Sequence, residues 1–271
     1  VDFALHKEEG AGLLERAGVK VLFADEEVFD WYKKEHGKEY DIYSLKPGTG
    51  EGEAIMDLEA GKDNKPELPG EDDLAAILFT SGTTGVSKGV MLTHKNLVSD
   101  CYLSQGNMNI FHTDIFYALL PLHHSYTMLA VFIEGLSVGS EIVFGSSLVV
   151  SQIMKELKEG KITMFLGVPM LFNKIIKALM KGIREKGIVV YGIIKTLMFI
   201  SGSIKKITGV NVGKKMFGGI LDKVSLRTNR ICISGGGPLP ASTFRMYNQL
   251  GIDFVQGYGL TETSPILCLN P

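Results

Sequence analysis

Cysteine is scarce: Cys101, Cys232 and Cys268 are the only three in 271 residues. They form no CxxC pair and no even-numbered set, so a disulfide framework is excluded. A reducing cytoplasm and three buried thiols are the expectation. An excess of positive charge is also missing. The formal net charge of -2 argues against a nucleic-acid binder. No signal peptide is visible. No uncharged apolar run reaches about 18 residues. The best candidate, 188–200, is short and carries Lys195, so no membrane-spanning helix is expected.

What is present is an alternation of two periodicities. Short apolar runs at 19–24, 75–80, 116–120, 141–144, 163–168, 230–234 and 252–256 read as strands. Helical patterns start at Glu26 and cover 95–106, 150–158, 171–181 and 241–250. Strand and helix in alternation predict an α/β fold, with largely parallel sheets flanked by helices. In such folds ligands bind in the loops after the strands. The polar, acidic stretch 51–73, broken by Pro66 and Pro69, reads as a surface connection. Residues 174–230 differ in charge, with many Lys and Arg against Glu185 and Asp222 alone.

Three loop segments carry chemistry. The first, Thr80-Ser81-Gly82-Thr83-Thr84-Gly85-Val86-Ser87-Lys88-Gly89, follows a strand. Its glycines let backbone N–H groups face an anion, its hydroxyls add donors and metal ligands, and Lys88 adds a positive charge. It is not a Walker A loop, because Ser87 stands where that pattern needs its second glycine. Thr93 then offers an N-cap for the next helix. The second segment, Ser234-Gly235-Gly236-Gly237-Pro238-Leu239-Pro240, allows a flat ligand close to the backbone. Taken alone, a tight strand-to-helix turn is the better reading of it. The third, Gln256-Gly257-Tyr258-Gly259-Leu260-Thr261-Glu262-Thr263, offers a flat ring, a hydroxyl and a hard oxygen ligand suited to Mg²⁺. A solvated turn is the plain alternative.

Together, and in this order, the three segments resemble the adenylate-forming superfamily of acyl-CoA synthetases, firefly luciferase and peptide-synthetase adenylation domains. That family usually has Pro where this chain has Ser87. The resemblance implies that Thr80, Ser81, Gly82, Thr83, Thr84, Gly85 and Lys88 hold ATP phosphates. It implies that Gly235, Gly236, Gly237 and Pro238 line the adenine pocket. Gln256, Gly257, Tyr258 and Gly259 belong to the nucleotide motif, with Tyr258 packing on adenine. Thr261 would contact the α-phosphate, and Glu262, with a loop hydroxyl such as Thr80, would hold Mg²⁺. A fourth segment, Pro121-Leu122-His123-His124-Ser125-Tyr126, is similar to the family's His-rich stretch, with His124 near the reacting carboxylate. On the residues alone, these histidines divide evenly between core and pocket wall.

The resemblance further implies residues 1–271 as an incomplete N-terminal AMP-binding domain, lacking its start, its later part and the small C-terminal lid domain. The basic, apolar stretch 174–219 is similar to bacterial long-chain acyl-CoA synthetases. The implied reaction is ATP-dependent activation of a fatty acid, then transfer to CoA, with catalytic roles for Thr261, Glu262 and His124. An acyl-AMP ligase, an acyl-carrier-protein synthetase, an aryl- or amino-acid-activating enzyme and a non-catalytic nucleotide-binding module are the rivals. The implied setting is cytoplasmic. The basic region 174–230 is weighed between a peripheral contact with the inner membrane face and a solvated cationic helix surface.

Overall fold

A computed structural model describes residues 5–47, 53–58, 67–80 and 87–270. The chain divides into two compact units, one of residues 1–73 and 79–89, the other of residues 74–78 and 90–271. The first unit contains α1 (Lys7–Arg16), β1 (Val21–Ala24), α2 (Glu26–His36) and β2 (Asp41–Ser44). β1 and β2 pair in parallel, from Val21 opposite Asp41 to Ala24 opposite Ser44. Ala11, Leu14, Phe29, Tyr32, Tyr40 and Ile42 form the core beneath them.

The strands β3 (Leu74–Thr80) and β4 (Lys88–Thr93) pair with each other. β4 runs into α3 (His94–Asn107), whose N-cap is Thr93. The Thr93 hydroxyl accepts the Asn96 N–H at 3.2 Å, and Asn96 Oδ1 accepts the Thr93 N–H at 2.9 Å. This reciprocal cap fixes where strand becomes helix.

The second unit continues with β5 (Ile115–Ala118), α4 (Ser125–Thr127), a π-helical segment Met128–Ile133 and α5 (Glu134–Val138). Next come β6 (Glu141–Phe144), α6 (Val150–Glu159), β7 (Met164–Gly167), α7 (Pro169–Arg184) and α8 (Ile188–Thr208). The short helices α9 (Gly213–Met216) and α10 (Gly218–Lys223) lead to β8 (Ile231–Ser234), α11 (Ala241–Gln249), β9 (Asp253–Gly259) and β10 (Ile266–Leu269). The strands form one sheet in the order β10-β9-β8-β7-β5-β6. All its pairings are parallel except β10 against β9.

The sheet is covered on both faces, which explains strands that are apolar without alternation. Successive side chains point to opposite faces. Tyr117, Phe165 and Cys232 enter one cluster with Phe172 and Ile176 of α7 and Tyr247 of α11. Their neighbours Phe116, Met164, Ile231 and Ile233 enter the other, against Ala130 and Val131. Phe172, Tyr247 and Phe254 meet at ring distances of 4.7–5.7 Å, and the Tyr247 hydroxyl donates to the Phe172 carbonyl at 3.0 Å.

One polar cluster braces the amino ends of three strands. Asp114, just before β5, is 3% exposed. It accepts from the Thr163 hydroxyl at 2.7 Å, the Phe111 N–H at 2.8 Å and Arg230 Nε at 3.2 Å. Thr163 precedes β7 and Arg230 precedes β8. The Arg230 guanidinium also lies 4.9 Å from the Phe111 ring centre. Burial pushes the Asp114 carboxyl up, but the Arg230, Phe111 and Thr163 hydrogen bonds outweigh it and hold the group below the usual carboxylate range.

Two expectations are corrected. Helix 188–200 is longer than its apolar run: α8 has 21 residues, and by length and composition it is apolar enough to cross a bilayer. Helical spacing, not an uninterrupted run, keeps it apolar around Lys195. Of the three cysteines, Cys101 and Cys232 are buried and Cys268 is exposed. Cys268 sits on the added antiparallel strand β10, which the strand reading omitted.

Asp114→Ala leaves Arg230 uncompensated and lowers unfolding stability by about 2–4 kcal/mol in urea denaturation, since Arg230 retains part of its solvent contact. The carboxylate is depressed in the fold, so its contribution is present above the ordinary carboxylate pKa and is lost as pH falls. Asp114→Asn removes that part of the acid sensitivity.

Candidate functional site

In an open α/β sheet the ligand crevice lies beyond the carboxyl ends of the strands, where strand order reverses. Here the chain passes from β5 outward to β6, then returns to β7 on the other side of β5. The reversal therefore lies between β5 and β7. The segments 119–124 after β5, 235–240 after β8 and 260–265 after β9 emerge at the same edge.

Gly235 is buried and donates its N–H to the Gly167 carbonyl at 3.2 Å. A Cβ there would lie 3.0 Å from the Tyr126 ring. The Tyr126 hydroxyl donates to the Ile233 carbonyl at 3.2 Å, which holds the ring beside the glycine turn. Gly236 adopts φ +76°, a left-handed conformation natural to glycine. Gly237 faces Pro169 at the start of α7, and Pro238 is exposed.

β9 extends to Gly259, past the expected end at Gln256, because β10 supplies a second partner strand. Gly257, Tyr258 and Gly259 are thus strand residues, not loop residues. Gly257 opposes Leu269 and Tyr258 opposes Cys268. The backbone of Gln256 is bound to Asn270, while the Tyr258 ring is exposed. At Gly259 a Cβ would stand 1.9 Å from the Pro265 carbonyl oxygen, so no side chain fits.

Thr261 and Glu262 occupy a tight turn closed by Thr263, whose hydroxyl accepts the Leu260 N–H at 3.0 Å and donates to the Pro265 carbonyl at 2.7 Å. The Thr261 hydroxyl oxygen lies 3.3 Å from that of buried Ser125. Two loops 136 residues apart in sequence therefore meet through a hydroxyl pair. Glu262 is exposed. His124 is exposed too, and serves as N-cap of α4, with its carbonyl accepting the Thr127 and Met128 N–H groups at 3.1 and 3.0 Å.

Thr80 ends β3 and exposed Lys88 begins β4. Ser81, Gly82, Thr83, Thr84 and Gly85 lie outside the described residues. Among the described residues no group of three or more His, Cys, Asp or Glu could hold a metal ion. A lone exposed carboxylate beside hydroxyls still fits Mg²⁺, which keeps its waters and takes substrate phosphates as further ligands.

Three residues at this edge escaped sequence reasoning. Ser125 and Tyr126, beside the highlighted His124, make the side-chain contacts that join the loops. The third is Asp100 on α3. It is 7% exposed, and its Oδ2 accepts the Ile266 N–H at 2.8 Å, anchoring the strand that leaves the Thr261–Glu262 turn. Leu97, Cys101 and Ser104 share its buried face at helical spacing, which was the signal available. Glu134, 2% exposed, is bonded to Ser104 at 3.0 Å and raises the Asp100 pKa. Burial is the larger cause, the Ile266 hydrogen bond opposes it, and the result is about 6.

A parallel sheet covered on both faces, with glycine- and hydroxyl-rich turns gathered at its carboxyl edge, defines a doubly wound α/β ligand-binding domain. The family model described as AMP-binding enzyme matches residues 1–271, and the chain belongs to that family. It is 32% identical over 223 residues to long chain acyl-CoA synthetase 8 of Arabidopsis thaliana, covering 73% of this chain and 30% of that protein. It is 30% identical over 263 residues to long-chain-fatty-acid–CoA ligase 1 of Cavia porcellus, covering 90% and 35%. The chain thus spans about a third of the length of these relatives. Among solved structures, O-succinylbenzoate coenzyme A synthetase of Bacillus subtilis, in complex with ATP and magnesium ion, superposes with a TM-score of 0.68. That match has 21% identity and covers all of this chain and 46% of the other.

The raised Asp100 pKa means that the fold takes up a proton which the unfolded chain releases near pH 4, so stability falls as pH rises from about 4 to about 6. Asp100→Asn keeps an acceptor for Ile266 and cannot ionise. Urea melts should show the variant gaining on the parent by on the order of 2 kcal/mol across that range. A constant difference would mean that Asp100 titrates normally.

Proposed function

We propose that the protein carrying this chain activates a long-chain fatty acid with Mg·ATP, forming an acyl-adenylate and pyrophosphate, and then transfers the acyl group to the thiol of CoA. The observation that carries this reading is the AMP-binding family match along the whole chain, together with a relative named as a long-chain-fatty-acid–CoA ligase that aligns with 90% of it.

The chemistry follows from charge. A carboxylate oxygen must attack the α-phosphate of ATP, so two negative groups have to be brought together. Positioning and neutralisation are what catalysis needs. In this reading Lys88 and the hydroxyls of Thr80, Ser81, Thr83 and Thr84 hold the β- and γ-phosphates. Glycines 82 and 85 let their backbone N–H groups turn toward the same anions. Gly235 to Pro238 and the exposed Tyr258 ring receive the adenine, while Gln256, Gly257 and Gly259 shape the strand beneath it. Thr261 donates to the α-phosphate, and its separation of 3.3 Å from Ser125 keeps that hydroxyl beside the loop carrying His124. His124 lies near the entering carboxylate as a contact, with no proton transfer assigned. Glu262 and Thr80 would ligate Mg²⁺, which spreads phosphate charge when bound.

Calorimetry of Mg·ATP binding should separate the parent from Thr83→Ala/Lys88→Ala, with the double variant at least about tenfold weaker, a loss of roughly 1.4 kcal/mol. Equal binding by both would remove these residues from the phosphate site. A pyrophosphate-exchange panel of long-chain, short-chain and aromatic acids then tests the substrate. Exchange driven best by an aromatic acid would replace the fatty-acid assignment, and binding without any exchange would favour a nucleotide-binding module.

A further inference from the structure

α8 has two apolar faces. Its inner face places Met198 and Ser201 in the core, with Tyr191, Ile194 and Leu197 partly buried beside them, against α7 and α11. The approach to α11 is close: a Cβ on Gly202 would meet Gln249 Cγ at 2.8 Å. At 100° per residue, Val189, Ile193, Ile200 and Ile207 fall in one row on the side opposite Met198. They are 43–83% exposed. Exposed Ile188 and Phe199 lie in the adjoining row, interleaved with exposed Lys195 and Lys206. An outward apolar row on a well-packed helix has no role in the core of this unit.

We infer that the outer face of α8 docks in the plane of an anionic lipid bilayer, with its apolar row in the interface and the neighbouring lysines on the head groups. Charge complementarity selects this occupant. Between 174 and 230 the basic residues outnumber Glu185 and Asp222 heavily, and Lys174, Lys177, Arg184, Lys186, Lys195, Lys206 and Lys215 are exposed. Among the described residues no carboxylate pairs with Lys195 or Lys206. Apolar rows flanked by lysine are what an amphipathic surface helix presents to anionic lipid.

The same helix is long enough to span the bilayer, but its other contacts hold it in the domain. Lys205 Nζ donates to Asn248 Oδ1 at 2.8 Å and to Asp253 Oδ1 at 2.6 Å. Crossing the membrane would strip these bonds and expose the face that carries Met198. Lying flat keeps both faces covered.

Flotation with vesicles of phosphatidylcholine alone, and of phosphatidylcholine mixed with phosphatidylglycerol, tests the assignment. The protein should float with the anionic vesicles, be released by high salt, and stay behind with the neutral ones. Ile193→Ser/Ile200→Ser/Ile207→Ser and, separately, Lys195→Glu/Lys206→Glu should each weaken flotation at least about tenfold, with unchanged circular dichroism melts. All five positions are exposed, so neither variant disturbs the core. Equal flotation on both vesicle types, no flotation on either, or variants that float like the parent would overturn the inference. So would protein extracted by detergent and not by salt, which indicates a spanning helix. Sedimentation showing self-association that the isoleucine variant abolishes, without vesicle binding, would assign the face to a protein contact instead.

Discussion

At the amino edge of the central sheet an ion pair with a buried carboxylate links three strands. Asp114 and Arg230, with Thr163 between them, tie together the entries of β5, β7 and β8. These strands come from distant parts of the chain, and parallel strands cannot be held in register by short turns. The carboxylate does that work for three strands at once. Its hydrogen bonds are nearly saturated, which is why burial does not protonate it. The opposite edge is built differently. There the contacts are weaker and more open: a hydroxyl pair, a ring against a glycine, and a helix carboxyl on one backbone N–H. A sheet braced at one end can leave its other end to loops.

Much of this arrangement could be read from residues alone. The apolar runs around Phe116, Phe165, Ile231 and Phe254 became strands because a doubly covered strand needs no polar alternation. Thr93 was legible as a cap from its residue type ahead of a helical pattern, and the reciprocal bond with Asn96 is what the structure adds. The motifs were visible as local patterns, but their meeting was not. Nothing in the sequence pairs Ser125 with Thr261, since that contact depends on strand order. Asp100 was hidden for another reason. A carboxylate in a helix ordinarily marks the solvent side, and its burial here depends on an acceptor being needed at Ile266. The strand β10 was missed because a short apolar run after Pro265 carries no partner in its own sequence.

α8 shows where a one-face rule fails. An amphipathic helix is recognised by apolar residues confined to one stripe. In α8 the stripe facing α7 and α11 is matched by a second stripe facing away. Such a helix looks like a broken apolar run when read along the chain, and like a membrane span when read by average composition. Neither description uses the lysines, of which Lys195 and Lys206 sit between the two stripes while Lys205 lies on the inner one. Lys205 turns inward to Asn248 and Asp253, while Lys195 and Lys206 remain exposed.

The bond from Ile266 to Asp100 closes a loop of 166 residues. On a ribosome, α3 leaves the exit tunnel long before β10 exists. Until β10 is in place Asp100 lacks the backbone N–H of Ile266, the one hydrogen bond that favours its charged form in the fold, so the anchor of α3 is a contact of long sequence separation.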